Sequence, residues 1–281
     1  MDVSDDGLFS PEVGNWADEK HAVVSLYAKL FSTGMKNKWN ERVYIELYAG
    51  AGYNKIRESS RVIAGSPILA LLLPDAFDKY IFCESDPKSM EALEVRVKRA
   101  APSANVTFIK GDCNQRVDDI LAEIPQHSKD HRVLSLCFVD PYDIGIKFAT
   151  LHRLSVKFVD FLLLLAIYMD AARNQDNYVK EEAIKINEFL GRDDWREKWR
   201  VAQRNGLQFP RFLAEEFSHS MEELRYQPQP FHKMKKIMFP DKNWPLYRLA
   251  LFSRDSVAYG FWDEVLKYST DQLLLGGGSW Q

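Results

Sequence analysis

With 281 residues, 46% of them hydrophobic and 27% charged, the chain is long enough for one large domain, or one domain with an appendage, and has an ordinary globular composition. The formal net charge of −3 excludes the basic footprint of a protein that grips nucleic acid over its whole surface and leaves room only for a local patch. Three scattered cysteines, Cys83, Cys113 and Cys137, show no CxxC and no zinc-type histidine spacing, so no metal site is expected and they read as buried thiols in a reducing compartment.

The acidic opening MDVSDDG lacks the basic-then-apolar pattern of a signal peptide. Apolar residues recur from Trp16 to Phe31 with helical spacing, at Val23, Val24, Tyr27 and Leu30 among others. RVYIELYAG (42–50) reads as a strand that runs into Gly50 and Gly52. Twelve mostly polar residues, 53–64, then delay a helix that starts at GSPILAL, with Ser66 as the expected N-cap and Pro67 at the first helical position. A mobile flap is one hypothesis for that delay.

Strand and helix patterns then alternate. KYIFCES (79–85), NVTFIKGD (105–112), RVLSLCFVDPY (132–142) and FVDFLLLLA (158–166) read as strands. Between them lie DPKSMEALEVRVKRAAP (86–102), a helix with an acidic start and a basic end, and the shorter RVDDILAEIP (116–125) and FATLHRLSV (148–156). The strands are continuous apolar runs, as expected of a parallel sheet covered on both faces, so the first 168 residues predict a doubly wound α/β domain. The longest apolar run, Phe161 to Met169, falls far short of the roughly 20 residues that span a bilayer, and a cytoplasmic protein is expected.

Beyond Tyr168 the chain turns polar and helical over 179–206 and 209–226, with a stripe at Leu213, Phe217, Met221 and Leu224. HKMKKIMFP (232–240) and PLYRLALFS (245–253) read as a late strand pair, followed by a helix over 255–269 and a flexible tail, LLLGGGSWQ. The predicted organisation is an N-terminal helical segment (1–40), a cofactor-binding core (41–168), a helical insertion (169–230), and closing strands, final helix and tail (231–281). The late pair would complete a sheet of about seven strands with helices on both faces.

Ligands of open α/β sheets sit beyond the carboxyl ends of the strands. Those ends carry Glu46, Gly50 and Gly52, then Glu84 with Ser85 and Asp86, then Asp112 with Cys113 and Asn114, then Asp140, Pro141 and Tyr142. The set suits a nucleoside-bearing ligand without phosphate. Glycines let the backbone come close, Glu84 can accept both ribose hydroxyls, and Asp112, or equally Cys113 or Asn114, can meet an adenine amino group. A strand-interior carboxylate such as Glu46 needs a partner and is assigned to the ligand's amino-acid end. No GK[ST] follows the loop and Lys55 replaces the third glycine of a dinucleotide fingerprint, so NAD, and with it a nucleotide-binding oxidoreductase, is a weaker reading.

The series ELYAGAG, CES, GDCN and VDPY resembles the motifs of class I S-adenosylmethionine-dependent methyltransferases, most closely those that modify amino groups of bases. More specifically, WADEKHAVVSLYAKLF, YIELYAGAG, the delayed GSPILAL, FVDPYD and PLYRLALFSRDSVAYGFW resemble the three-Cys-motif partner protein (TcmP) family over about residues 14–268. The resemblance implies a Rossmann-like methyltransferase fold, S-adenosylmethionine as cofactor, and a partner with a three-cysteine motif similar to radical S-adenosylmethionine proteins. It implies catalytic positions at Asp140, Pro141 and Tyr142: the acid and the proline carbonyl would accept from a target amino group while the ring stacks on an extruded base. The second proline of the amino-methyltransferase motif is missing and Asp143 stands where its aromatic usually is, which leaves a non-catalytic scaffold that docks the partner as the alternative. Lys20 and His21 match the family's N-terminal motif. Arg192, Arg196, Lys198, Arg200, Arg204 and Arg211, interleaved with Trp195, Trp199 and Phe209, form a candidate nucleic-acid surface, and Lys233, Lys235 and Lys236 a second, smaller one.

Overall fold

The computed structural model describes residues 1–239 and 244–274. Strands are β1 (Glu12–Val13), β2 (Glu41–Glu46), β3 (Tyr53–Ile56), β4 (Val62–Ala64), β5 (Lys79–Glu84), β6 (Val106–Lys110), β7 (Val133–Val139), β8 (Val159–Leu165), β9 (Lys235–Phe239) and β10 (Trp244–Phe252). Helices are α1 (Trp16–Met35), α2 (Ser66–Leu71), α3 (Pro87–Ala100), α4 (Val117–Glu123), α5 (Phe148–Leu154), α6 (Gln175–Tyr178), α7 (Lys185–Leu190), α8 (Trp195–Arg204), α9 (Phe209–Glu223) and α10 (Ser256–Leu274), with a π turn at Ile167–Ala171.

Seven strands form one sheet in the order β6-β5-β2-β7-β8-β10-β9. The first five in that order run parallel; β10 is antiparallel to β8, pairing Leu249 with Leu164, and β9 is antiparallel to β10. The chain therefore starts in the middle, winds out through β5 to β6, crosses back, and winds the other way through β7 and β8. This is a doubly wound, Rossmann-like sheet whose switch point lies between β2 and β7. Right-handed crossovers put α2 and α3 on one face and α4 and α5 on the other. α1 packs against α2, α10 and β9, and α4 packs against α5. Every residue of β7 and β8 is buried, as their unbroken apolar sequence requires.

Several boundaries differ from expectation for local reasons. α1 runs one turn past Phe31 because tertiary bonds hold its end: Ser32 Oγ donates to the Asp75 carbonyl at 2.5 Å and Thr33 Oγ1 to the Asp75 carboxylate at 2.7 Å. The delayed stretch is an ordered hairpin. β3 and β4 pair antiparallel, β1 adds in parallel, and Ile56 and Ile63 bury with Ala17 in a small core of their own. Gly65, not Ser66, occupies the N-cap of α2. Asp86 does cap α3, accepting from the Ser89 N–H at 2.9 Å. The insertion breaks into short helices, and α7 ends at Gly191 (φ +68), where a Cβ would lie 2.4 Å from the Phe148 ring. Leu213, Phe217 and Met221 are buried on α9, while Leu224 is its C-cap and only half-buried. The expected flexible tail falls mainly on residues 275–281, outside the described residues.

Candidate active site

β2 delivers its chemistry through a tight turn. Gly50 (φ +63) and Gly52 (φ +80) both adopt left-handed conformations, which explains glycine at each. The two differ in surroundings. A Cβ on Gly52 would press on Leu93 at 3.0 Å, whereas a Cβ on Gly50 would meet nothing within 4 Å. Gly52 is thus packed against the core, and Gly50 faces open space.

Glu84, at the end of β5, locks the loop. Its Oε2 accepts from the Gly50 N–H at 2.7 Å and its Oε1 from the Asp86 N–H at 2.8 Å; Ser85 is exposed and its hydroxyl approaches Oε1 only to 3.5 Å. A second lock, not anticipated from sequence, is Arg96 on α3, whose side chain is 1% exposed. It donates to the Ala51 carbonyl at 2.8 Å, to the Phe9 carbonyl at 2.8 Å and to Asp6 at 2.6 Å, and its guanidinium lies over the Tyr53 ring. One cation therefore binds the glycine loop, the N-terminal segment and the hairpin together. Hydrogen bonding to Arg96 holds the Asp6 carboxyl below its usual range. The sequence signal was an arginine on the apolar stripe of α3, three residues after Leu93.

Glu46 is fully buried, accepting from Ser66 Oγ at 2.6 Å and from Tyr44 OH at 3.0 Å. Burial pushes its carboxyl well above the usual range, Asp140 adds to that, and the hydrogen bonds and Lys20 oppose it. It supports α2 from beneath through Ser66.

Beyond β6, Asp112 Oδ1 accepts from the Asn114 N–H at 2.9 Å. Asn114 is committed elsewhere: its Oδ1 accepts from Lys147 N–H at 3.0 Å and Thr150 Oγ1 at 2.8 Å, and its Nδ2 donates to the Gly145 carbonyl at 3.0 Å. Cys113 is buried, and burial pushes its thiol up to about 12. Of the three residues considered for an adenine contact, Asp112 is the one left half-exposed without a structural commitment of its side chain beyond this local turn. All three cysteines are buried and free.

Beyond β7, Asp140 forms an ion pair with Lys20 of α1, 120 residues away in sequence, and both are largely buried. Lys20 thus meets the strand-end acid directly. His21, also buried, has no partner for Nδ1 among the described residues, and burial pushes its imidazole well below the usual range, so it is neutral. Pro141 is buried, while Tyr142 is 78% exposed and stands within electrostatic reach of Asp140, Glu84 and Asp86. Asp143 pairs with Lys185 at 2.6 Å, and Lys185 reaches Asp170 of the π turn at 3.3 Å. Asp170 also accepts from the Ile144 N–H at 3.0 Å and from Tyr178 OH at 2.7 Å. Such π turns often mark functional segments, and here one fixes the loop that follows Asp140.

The arginine-rich patch differs from expectation. Trp195, Trp199 and Phe209 are buried, so no ring is presented for stacking. Arg192 pairs with Asp194, Glu216 and Glu223, Lys198 with Asp194 and Glu216, Arg200 with Glu181, and Arg211 with Glu215. Arg196 is spent on Asn187 and backbone carbonyls, and Arg204 is exposed at the end of α8. Lys233 pairs with Asp263 and Lys235 with Glu19; Lys236 is exposed. Among the described residues, no cluster of His, Cys, Asp or Glu could hold a metal ion, and no helix is long and apolar enough to cross a membrane.

No protein-family model and no curated protein matches the chain. Solved structures do. A Legionella pneumophila protein of the DUF519 family is 13% identical, with 91% of this chain and 93% of that one covered at a TM-score of 0.49. Trm1 from Pyrococcus horikoshii, in complex with S-adenosyl-L-methionine, is 10% identical over 95% of this chain and 64% of that one at 0.48. TYW2 from M. jannaschii, in complex with AdoMet, is 13% identical over 86% and 78% at 0.40. The fold assignment rests on strand order and direction rather than on these likenesses: the chain has a doubly wound, Rossmann-like α/β fold.

Proposed function

We propose that this chain binds S-adenosylmethionine over the glycine loop and directs its methyl group to an acceptor presented at Asp140, Pro141 and Tyr142. One observation carries the reading. At the β2/β7 switch point, a left-handed glycine facing open space meets a carboxylate already locked to its N–H and an aspartate at the end of the neighbouring strand. When bound, the cofactor would supply an electrophilic sulfonium methyl group.

The rest is the work of this chain's residues. Glu84 keeps lone pairs beyond its two backbone donors, as acceptors for a ribose diol. Asp112 is placed to accept from an adenine amino group, and Arg96, the cation that grips the loop, is buried and spent on backbone carbonyls and Asp6 rather than offered to a pyrophosphate. Lys20 holds Asp140 through Oδ2, which leaves Oδ1 to accept from an acceptor N–H and orient its lone pair. The exposed Tyr142 ring offers a face for a planar acceptor such as the amino-bearing base of a nucleic acid, free or presented by a three-cysteine-motif partner. Positioning of this kind is the main demand of direct methyl transfer. Methyl transfer from labelled cofactor to a base-containing acceptor tests it: Asp140→Ala should lower the rate by on the order of a hundredfold, and an undiminished rate would sink the assignment.

A second reading, a scaffold that docks the partner without chemistry, is favoured by the Lys20–Asp140 pair, which already neutralises the candidate acid, and by Asp143 being tied to Lys185. It expects cofactor binding with no transfer to any acceptor, and partner capture untouched by Asp140→Ala.

A further inference from the structure

A cavity of about 290 Å³ lies at the opposite end of the sheet, where the parallel strands begin. Phe31, Met35, Trp39, Phe158 and Phe261 wall it, and Asp160, the second residue of β8, is its acid. Phe158 is 48% exposed, which leaves a mouth to solvent.

Asp160 is only 8% exposed. Among the described residues no cation comes within ion-pair distance of it. Arg254 also lines the cavity but is committed to backbone carbonyls, donating to Ser155 at 2.8 Å and Leu224 at 3.0 Å. The Ser253 hydroxyl, which accepts from the Asp255 N–H at 3.1 Å, favours the charged form of the carboxyl. Nearby, the fully buried Tyr27 hydroxyl has no hydrogen-bond partner among the described residues and lies within electrostatic reach of the same carboxyl. Buried carboxylates are normally paired, and an apolar cavity with aromatic walls beside an unpaired one has the make-up of a cation-binding site. This acid lies at the opposite end of the parallel strands from Asp140 and has no part in the chemistry proposed above.

We propose that this cavity is a second ligand site, which takes a compact monoamine with an apolar body among the aromatic side chains and its ammonium group paired with Asp160. The volume admits one small molecule and not a peptide segment. Burial pushes the Asp160 carboxyl up to about 7, with Asp255 adding to this and Arg254 opposing it; Tyr27, Tyr226 and Tyr259 are the other titratable groups facing it. An ammonium ligand therefore binds more tightly as the pH rises through neutrality.

The test is titration of the full chain with 2-phenylethylamine and, in parallel, its neutral counterpart 2-phenylethanol, followed by ligand-observed NMR. The expected result is saturable amine binding at millimolar concentration or below, weakened about tenfold or more by Asp160→Asn, with alcohol binding changed little by that variant. Ala258→Phe, which fills the cavity, should abolish binding of both. Amine affinity equal in wild type and Asp160→Asn, binding that survives Ala258→Phe, or alcohol binding without amine binding would each overturn the proposal. Saturating S-adenosylhomocysteine should leave the titration unchanged, so the outcome is independent of the glycine-loop reading.

Discussion

At the carboxyl end of the parallel strands the acids are held by partners: Glu84 by two backbone N–H groups, Asp140 by Lys20, Asp143 by Lys185. At the amino end, Asp160 sits in a largely apolar pocket and, among the described residues, no cation pairs with it, Arg254 being committed to backbone carbonyls. Strand geometry is the same at both ends; the difference lies in what arrives from elsewhere in the chain. The carboxyl end receives α1, the glycine loop and the π turn, each bringing a donor or a charge. The amino end receives the apolar end of α1 and the first turn of α10. Acids that are oriented but not smothered suit recognition of a ligand's hydroxyl and amino groups. An isolated buried acid stores an unfavourable charge that a cationic ligand, a proton or a substitution relieves.

The largest effect should come from unlocking the carboxyl end. Arg96→Met keeps volume but strands the Ala51 and Phe9 carbonyls and Asp6, and should cost roughly 3–5 kcal/mol in denaturant unfolding, the range for breaking a buried ionic network. A cost below about 1 kcal/mol would show that the loop holds itself.

Asp160 sharpens the comparison with the opposite sign. Its folded carboxyl titrates at about 7, above its unfolded value, so the folded state holds the proton more tightly. Stability contributed by this group is complete below the unfolded range near 4 and falls as pH rises towards 7. Asp160→Asn should therefore stabilise the protein at pH 8, by an upper bound of about 4 kcal/mol, and do little at about pH 4. Glu46, raised in the same direction, leaves some slope in the variant. Parallel pH profiles for the two proteins would contradict the isolation of Asp160.

A smaller effect tests the partnered acid. A double-mutant cycle of Lys20→Ala and Asp140→Ala should give a coupling of about 1–2 kcal/mol, because both groups are largely buried. The exposed pair Arg153–Asp118, at 52% and 73% side-chain exposure, should give close to zero. Equal couplings would mean that the Lys20 contact does not hold Asp140.

The sheet was largely legible in the sequence because burial on both faces writes each parallel strand as an apolar run, and the strand ends followed from where those runs met Gly50, Glu84, Asp112 and Asp140. The hairpin of β3 and β4 was hidden because its buried apolar side chains, Ile56, Val62, Ile63 and Ala64, are few and lie among charged and polar neighbours. Burial of Trp195 and Trp199 was not legible because the arginines around them are the exposed face of a strongly amphipathic helix, and acids supplied by α9 and by Glu181 neutralise many of them. Lys20 meeting Asp140, and Arg96 gripping the glycine loop, are long-range contacts with no periodic signature. Glu46 was visible as an anomalous strand acid; its partners Tyr44 and Ser66 needed the fold to be seen.

The central claim, a nucleoside ligand over the glycine loop, is tested most directly by thermal unfolding with S-adenosylhomocysteine, NAD and ATP, for the wild type and Gly50→Ala. A Cβ at Gly50 meets no protein atom, so the variant should fold with a backbone cost of roughly 1 kcal/mol while placing a methyl group where the ligand comes closest. The account predicts a rise of roughly 5–10 °C with S-adenosylhomocysteine at a hundred times its dissociation constant, no rise with NAD or ATP, and no rise in the variant. An unshifted wild type, or a shift that Gly50→Ala leaves intact, would contradict it.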